Sequence, residues 1–514
     1  MSQPEQEPGI IEIEEVPQAG GASAAPSVQQ VARTLVRGAA IYAVANFGIR
    51  ALNFLLLPVY TRFLTPADYG VISLAETLAL VVSIFSGLGL EGGISRLYYQ
   101  YVDRPQELRD FLTSVLRFGA WNSAGVVALS LLAGPLLLKL VAPRFDVPFF
   151  PYIALAVATV ACAQIVNYRL ALYQAETRPN QYALLAAGFF VMTATGSLAL
   201  VVGKRGGAEG MLAGKLAAAI IAAATAFILM RRWLGGRFGW RHVREILTLS
   251  TPLLPHQFMA LGLVAADRFI VARYRNLEEV GIYSLAYTFG MVMAVVTMSL
   301  TQAWSPLYFD VNRQGAPGRQ IVARIGSGLA IGLIAVAIFG SVIAQDFVAV
   351  VLDARYRAVG PLIPWIIGGY LMHAMFSLLH LALFQVKRTA LLWQVSFVAF
   401  AANIALNLLL VPRWGMYGAA YATTAGYAVE ALIIYFYAQR VFPLPFRTAK
   451  VLAGLAVFAA VVGVTQVRWQ MAHVLVMVAT LAISWGVLGA ISRDELQAAW
   501  RTLWVQRGAA NTPS

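Results

Sequence analysis

Arg62-Phe-Leu-Thr-Pro-Ala-Asp68, followed by Tyr69-Gly70-Val71-Ile72-Ser73-Leu74-Ala75-Glu76, is a short turn opening an apolar helix, and its pattern returns later in the chain. Moved by 211 positions (273 − 62, 281 − 70), Arg62 falls on Arg273, Gly70 on Gly281, and Ser73-Leu74-Ala75 on Ser284-Leu285-Ala286. A second echo has a spacing of 208 (413 − 205, 415 − 207): Arg205, Gly207 and Gly210 align with Arg413, Gly415 and Gly418. Two echoes at nearly one spacing point to a duplicated half.

The 514 residues are 59% apolar and 12% charged, with a mean hydropathy of +0.70. A soluble domain carries about 25% charged residues, so a water-facing surface is excluded. Apolar runs near the roughly 20 residues that cross a bilayer fill the chain after residue 37. They are too long for the alternating strands of about ten residues of an outer-membrane barrel. The expected class is an all-α polytopic membrane protein. The net charge of +14 has no basic patch interleaved with aromatics behind it, so nucleic acid is not an expected partner. Cys162 is the single cysteine and excludes an intrachain disulfide.

Residues 1–32 are acidic and rich in Pro, Gly, Ala and Gln, the composition of a disordered tail, and they lack the basic start and apolar core of a signal peptide. About fourteen spans follow: 38–60, 69–95, 114–138, 149–173, 181–203, 209–230, 246–272, 280–304, 322–344, 358–385, 389–411, 415–438, 448–466 and 473–491. The longest connections are expected near 231–245 and 305–321. Lys and Arg favour the N-terminal side of the membrane by roughly two to one, which places both termini in the cytoplasm. The duplication gives an N-lobe (33–235, spans 1–6) and a C-lobe (236–440, spans 7–12). Parallel six-helix repeats are related by a pseudo-two-fold axis along the membrane normal. A helix pair (441–492) and a tail (493–514) complete the chain.

Several spans carry polar stripes, and an ionisable group at membrane depth faces a cavity or a partner. Span 1 bears Asn46, Arg50 and Asn53, with Arg50 either a cation for an anionic head group or the partner of Glu76. Glu76 is otherwise a coupling-ion or proton site. Ser83 and Gly87 read as small-residue helix packing. Span 7 holds His256, Asp267 and Arg268; Pro252 and Pro255 break its ladder and suggest a hinge, while Asp267 and Arg268 read by default as an interfacial salt bridge. His373 and His380 on span 10 read as a proton relay or as core histidines bonded to backbone or Ser. Asn403 and Asn407 on span 11, Glu430 on span 12 and Lys215 on span 6 extend the polar lining. Gly210-Met-Leu-Ala-Gly214-Lys215-Leu216 is one residue short of a phosphate loop and has Leu216 where Ser or Thr is required, so it reads as helix packing. No catalytic motif, metal site or cofactor is expected.

Asn53-Phe-Leu-Leu-Leu-Pro58-Val-Tyr60-Thr-Arg62-Phe-Leu-Thr-Pro66-Ala-Asp68-Tyr69-Gly70 resembles the opening of Wzx-type polysaccharide transporters, in the multidrug/oligosaccharidyl-lipid/polysaccharide exporter superfamily. Leu253-Leu-Pro255-His256, Asp267-Arg268-Phe-Ile, Val280-Gly281-Ile-Tyr283-Ser284 and Asn407-Leu-Leu-Leu-Val-Pro412-Arg-Trp-Gly415-Met-Tyr-Gly418 resemble later parts of the same family, so the likeness covers roughly 35–490. It implies a flippase moving undecaprenyl-pyrophosphate-linked oligosaccharides, such as O-antigen or exopolysaccharide units, across the bacterial inner membrane. It also implies two lobes around a V-shaped cavity, and a final helix pair that often grooves the lipid tail. The pyrophosphate is then expected at Arg50, with Lys215 and Arg268 as further cations, and the sugar at Asn46, Asn53, Asn403 and Asn407. Lipids and the polysaccharide polymerase and export machinery are the expected partners. A cation-coupled multidrug antiporter, a lipid II flippase and a membrane glycosyltransferase or polymerase stay open as alternatives.

Overall fold

A computed structural model describes residues 48–49, 52–141, 147–313, 315–386, 388 and 390–467. The described residues are helical, with no strand among them. In chain order they form α1 (52–63), α2 (Pro66–Gly87), α3 (Leu90–Tyr101), α4 (Pro105–Val141), α5 (Ala154–Ala175), α6 (Pro179–Leu198), α7 (Gly207–Met230), α8 (Trp240–Ser250) and α9 (Leu254–Tyr274). α10 (Leu277–Asn312), α11 (Ala316–Val351), α12 (Ile363–Leu379), α13 (Leu381–Gln385), α14 (Ala390–Val441) and α15 (Thr448–Val467) follow. Among the described residues nine helical stretches are long and apolar enough to cross a membrane, and one of them bends sharply at Gly415, φ +56°.

The expected connection at 305–321 is mostly helix, because α10 and α11 each run on for 36 residues. The 231–245 connection is likewise structured: it leads into α8, whose Val243 and Ile246 are buried and whose Trp240, Arg241 and Arg244 are exposed. Hydrogen bonds from the amides of Gly236, Arg237 and Gly239 to Thr113, Asp110 and Ser114 tie this linker to α4. At the same end Glu176 gathers Arg169, Arg178 and Arg232, joining α5 to the end of α7.

The duplication is visible as a reciprocal contact between α2 and α10. A methyl group built on Gly70 would overlap the carbonyl of Leu277, and one on Gly281 would overlap the carbonyl of Pro66. Pro66 and Leu277 are themselves repeat-equivalent (277 − 66 = 211). Between them Ser73 and Ser284 share a hydrogen bond of 2.6 Å. A surface in which residue i meets j and the equivalent of j meets the equivalent of i is isologous, the mark of a two-fold axis. Only glycine permits backbones this close, and close approach with shared hydroxyls is how helices associate where water is absent.

The caps repeat as well. Thr65 caps α2 in a box with Asp68, and Asn276 caps α10. Asp68 then accepts from the amide of Ala208 at 3.2 Å, as Glu279 does from Met416 at 2.8 Å. The preceding glycines, Gly207 and Gly415, both have positive φ, a conformation cheap only for glycine. Gly196 and Gly214 pack α6 against α7, the small-residue role expected for the phosphate-loop lookalike.

Replacing Gly281 by Ala is expected to destabilise the protein by about 1–3 kcal/mol through overpacking. Gly332→Ala, where nothing lies within 4 Å, is expected to leave stability unchanged; thermal unfolding in detergent compares the two.

Candidate functional site

The lobes are sealed at the end where α1 finishes and α2 begins. Arg355, in the turn between α11 and α12, donates to the carbonyls of Thr61 at 3.2 Å and Arg62 at 3.1 Å. Its Nε is held by Asp353 at 2.9 Å. Tyr356 donates to the Leu64 carbonyl at 3.0 Å and packs edge-on against Tyr69. The last carbonyls of a helix have no partner within it, and here a guanidinium and a phenol from the other lobe supply them. The bond to Arg355 holds the Asp353 carboxyl below its usual range. A depressed acid stabilises the folded state above its ordinary pKa and loses that contribution as pH falls through the lowered value, so this clasp is intact at neutral pH.

Next to the seal lies the central polar group. Arg268 donates through Nε to Ser284 at 3.3 Å and stacks over Tyr287 at 4.7 Å. Its neighbour Asp267 is 1% exposed and accepts from Tyr283, from Thr423 and from the amide of Arg268. The expected interfacial salt bridge is therefore an interior one, built where α9, α10 and α14 pack together. Three residues beyond Ser73 on α2, Glu76 pairs with Lys215 of α7, their side chains 42% and 22% exposed. Lys215 thus takes the place considered for Arg50. This pair is less enclosed than the Asp267 network.

A cavity of about 700 Å³ opens in the C-lobe, in the halves of α9, α10, α12 and α14 nearer the linker. Its polar lining residues include Thr297, Thr301, Gln302, Ser305, Ser377 and Ser396, and aromatic faces come from Phe309, Tyr370, Phe376, Phe384 and Tyr427. His373 and Glu430 share a 2.8 Å bond in this lining. Phe376 stacks between His373 and His380 with interplanar angles of 19° and 12°. His380 Nδ1 lies 2.9 Å from the Ser377 carbonyl. The two histidines thus share a cavity wall without bonding each other.

The other expected residues are dispersed. Asn403 and Asn407 are fully buried and bond each other and Thr423 inside the lobe, away from the cavity wall. Asn53 is exposed on α1. Pro252 lies in a single 3₁₀ turn, Thr251–Leu253, and Pro255 in the first turn of α9, so both stand at the seam between linker and span rather than inside a span. Asn46, Arg50, the His256 side chain, the fourteenth span and both tails lie outside the described residues. Among the described residues no group of three or more His, Cys, Asp or Glu is placed to hold a metal ion. The clasp and the hydroxyl lining went unread in the sequence. Arg355 has no local motif, and Gln302 and Ser305 fall where a span seemed to be ending.

The like-oriented helical lobes and the reciprocal contact between α2 and α10 define a polytopic α-helical membrane protein. The chain belongs to the family described as "Polysaccharide biosynthesis protein", whose model matches residues 35–311. This bears out the resemblance to Wzx-type transporters. Protein 1 of the Lsg locus of Haemophilus influenzae is 21% identical over 293 residues, 53% of this chain and 66% of that protein. An uncharacterised membrane protein of the same organism is 19% identical over 294 residues, 55% of this chain and 67% of its own. The chain thus spans just under two thirds of the first relative. Among solved structures, a lipid II flippase, MurJ in an inward closed conformation, shares the fold with a TM-score of 0.65 at 15% identity, over 86% of this chain and 97% of that one. The Vibrio cholerae MATE transporter VcmN in its bent form gives 0.52 at 12% identity, over 80% and 97%.

Arg355→Ala with Tyr356→Phe removes three bonds across the clasp, together worth about 2–4 kcal/mol. Thiol modification of a cysteine placed at Leu64 is expected to speed up at least about tenfold in the double variant.

Proposed function

We propose that the protein is a flippase for lipid-linked oligosaccharides, working by alternating access. The observation that carries this reading is the C-lobe cavity. Its volume of about 700 Å³ lies within the roughly 300–1,000 Å³ typical of ligand sites. A lining that mixes hydroxyls and one amide with aromatic faces suits a sugar, which offers hydroxyls at its edge and C–H groups on its face. The family match supports a place in polysaccharide biosynthesis.

The pyrophosphate is taken by Lys215 and Arg268, one from each lobe, as charge-assisted bonds to phosphate are strong where little water competes. Lys215 leaves Glu76 to do so; Arg268 keeps Asp267, whose three other donors hold its orientation. The clasp end is closed and the cavity lies toward the linker end, so the described conformation receives substrate from the linker side. Release requires the clasp to part and the lobes to rock about the 3₁₀ turn at Pro252, since the linker before it moves with α4. With both termini in the cytoplasm of an inner-membrane protein, this carries an undecaprenyl-pyrophosphate-linked unit outward, toward polymerase and export machinery.

In proteoliposomes loaded with such a lipid, Lys215→Ala is expected to lower the flipping rate by about tenfold or more, the loss of one charged hydrogen bond. Arg268→Lys is expected to lower it as well, because a point charge does not reproduce a planar fork. Wild-type rates in both folded variants would remove these cations from the mechanism.

A further inference from the structure

The N-lobe holds a second cavity, about 310 Å³, that the flippase reading does not use. Glu91 lies in its wall with Ser95, Asn167, Gln174 and Tyr182. The Glu91 carboxylate accepts from Gln164 Nε2 at 2.6 Å, and Asn167 lies in the same cavity wall. Among the described residues no cation bonds it. The charged groups on neighbouring elements are engaged elsewhere: Arg169 of α5 with Glu176, Glu245 of α8 with Tyr101, Asp110 of α4 with Arg237 and Glu107 of α4 with Arg104. Arg96 of α3, Arg109, Arg117 and Lys139 of α4, and Arg241 and Arg244 of α8 complete the charged groups on these elements, with Arg117 donating to the Leu234 carbonyl. The other titratable groups on the helices packed around it are Cys162, Tyr168 and Tyr173 of α5, Tyr182 of α6, His242 of α8, and Tyr98, Tyr99 and Tyr101 of its own helix.

From these contacts we infer that Glu91 is a proton-binding site coupled to the lobe hinge. An intramembrane carboxylate partnered by arginine is fixed as the anion, whereas one partnered by amides is not. An amide donates through nitrogen to a carboxylate and, turned over, accepts through oxygen from a carboxylic acid. Gln164 therefore accommodates both states. The adjoining cavity is polar and large enough for the water through which a proton arrives.

The site is wired to the hinge by backbone. The helix breaks at Leu88 and Gly89, both in the left-handed region, just before Glu91. A methyl built on Gly89 would touch Ser250 and Gln257, and one on Gly93 would press on Ile246 and Ser250. These residues flank the 3₁₀ turn about which the lobes rock. Gln164 is seated against Gly87 on the other side of the break. Protonation that turns or releases Gln164 thus acts on the segment in contact with the hinge.

The coupling half of this inference rests on the alternating-access reading; the proton site itself does not. Infrared difference spectra of the full chain in nanodiscs, between acidic and alkaline pH, are expected to show a protonated carboxyl band that Glu91→Gln abolishes. Glu91→Asp is expected to keep the band, shifted, and serves as the folding control. Spin labels at Arg104 and Arg388, in a Cys162→Ala background, are expected to report a pH-dependent distance between lobes that Glu91→Gln freezes. A band unchanged by Glu91→Gln overturns the site, and a distance that still follows pH in that variant overturns its coupling. A confirmed band and pH response alongside absent flipping of the oligosaccharide lipid would instead count against the substrate reading alone.

Discussion

Two helices that lie against each other through glycine set the rest of this structure in place. Gly70 and Gly281 bring the carbonyls of one repeat onto the α-carbons of the other, and Ser73 and Ser284 close the contact with a shared hydrogen bond. In a bilayer there is no hydrophobic gain from pressing one apolar helix on another, so close packing and hydroxyl bonds carry the association. Because the contact is isologous, it fixes the lobes as a pair related by rotation. The carboxylate caps at Ala208 and Met416 then fall in equivalent places without further specification.

Polar groups around this contact divide into two kinds. Asp267 is deep and surrounded by donors, and removing one partner of such a buried group costs several kcal/mol; that network holds the C-lobe together. Lys215 and Glu76 pair at a less enclosed position, 22% and 42% exposed. The same chemistry is therefore fully enclosed in one lobe and partly accessible in the other. At the ends, the clasp occupies helix-terminal carbonyls that would otherwise need water, while the cavities at Glu91 and at His373 lie toward the opposite end.

How much of this could be read in the residues follows from what is local. Apolar runs, the 211 and 208 spacings and the glycine turns are properties of short stretches, and they carried the helical class and the duplication. Lys215, Asp267, His373 and Glu430 stood out because ionisable groups are rare at membrane depth. Their partners did not: Glu76 was weighed against Arg50, and only the fold brings Lys215 to it across 139 residues. Asn403 and Asn407 have the composition of a sugar site, yet they face into the packed lobe, since a stripe on a helix does not say which neighbour it meets. Arg355 reaches Arg62 from 293 residues away, which no periodicity encodes.

The proposed rocking of the lobes requires α2 and α10, which join them, to part during transport. Ser73→Cys with Ser284→Cys, in a Cys162→Ala background, places a disulfide across that contact. Flipping of the lipid-linked oligosaccharide should stop when the bridge forms and return on reduction. Transport at the full rate with the bridge intact would contradict the account.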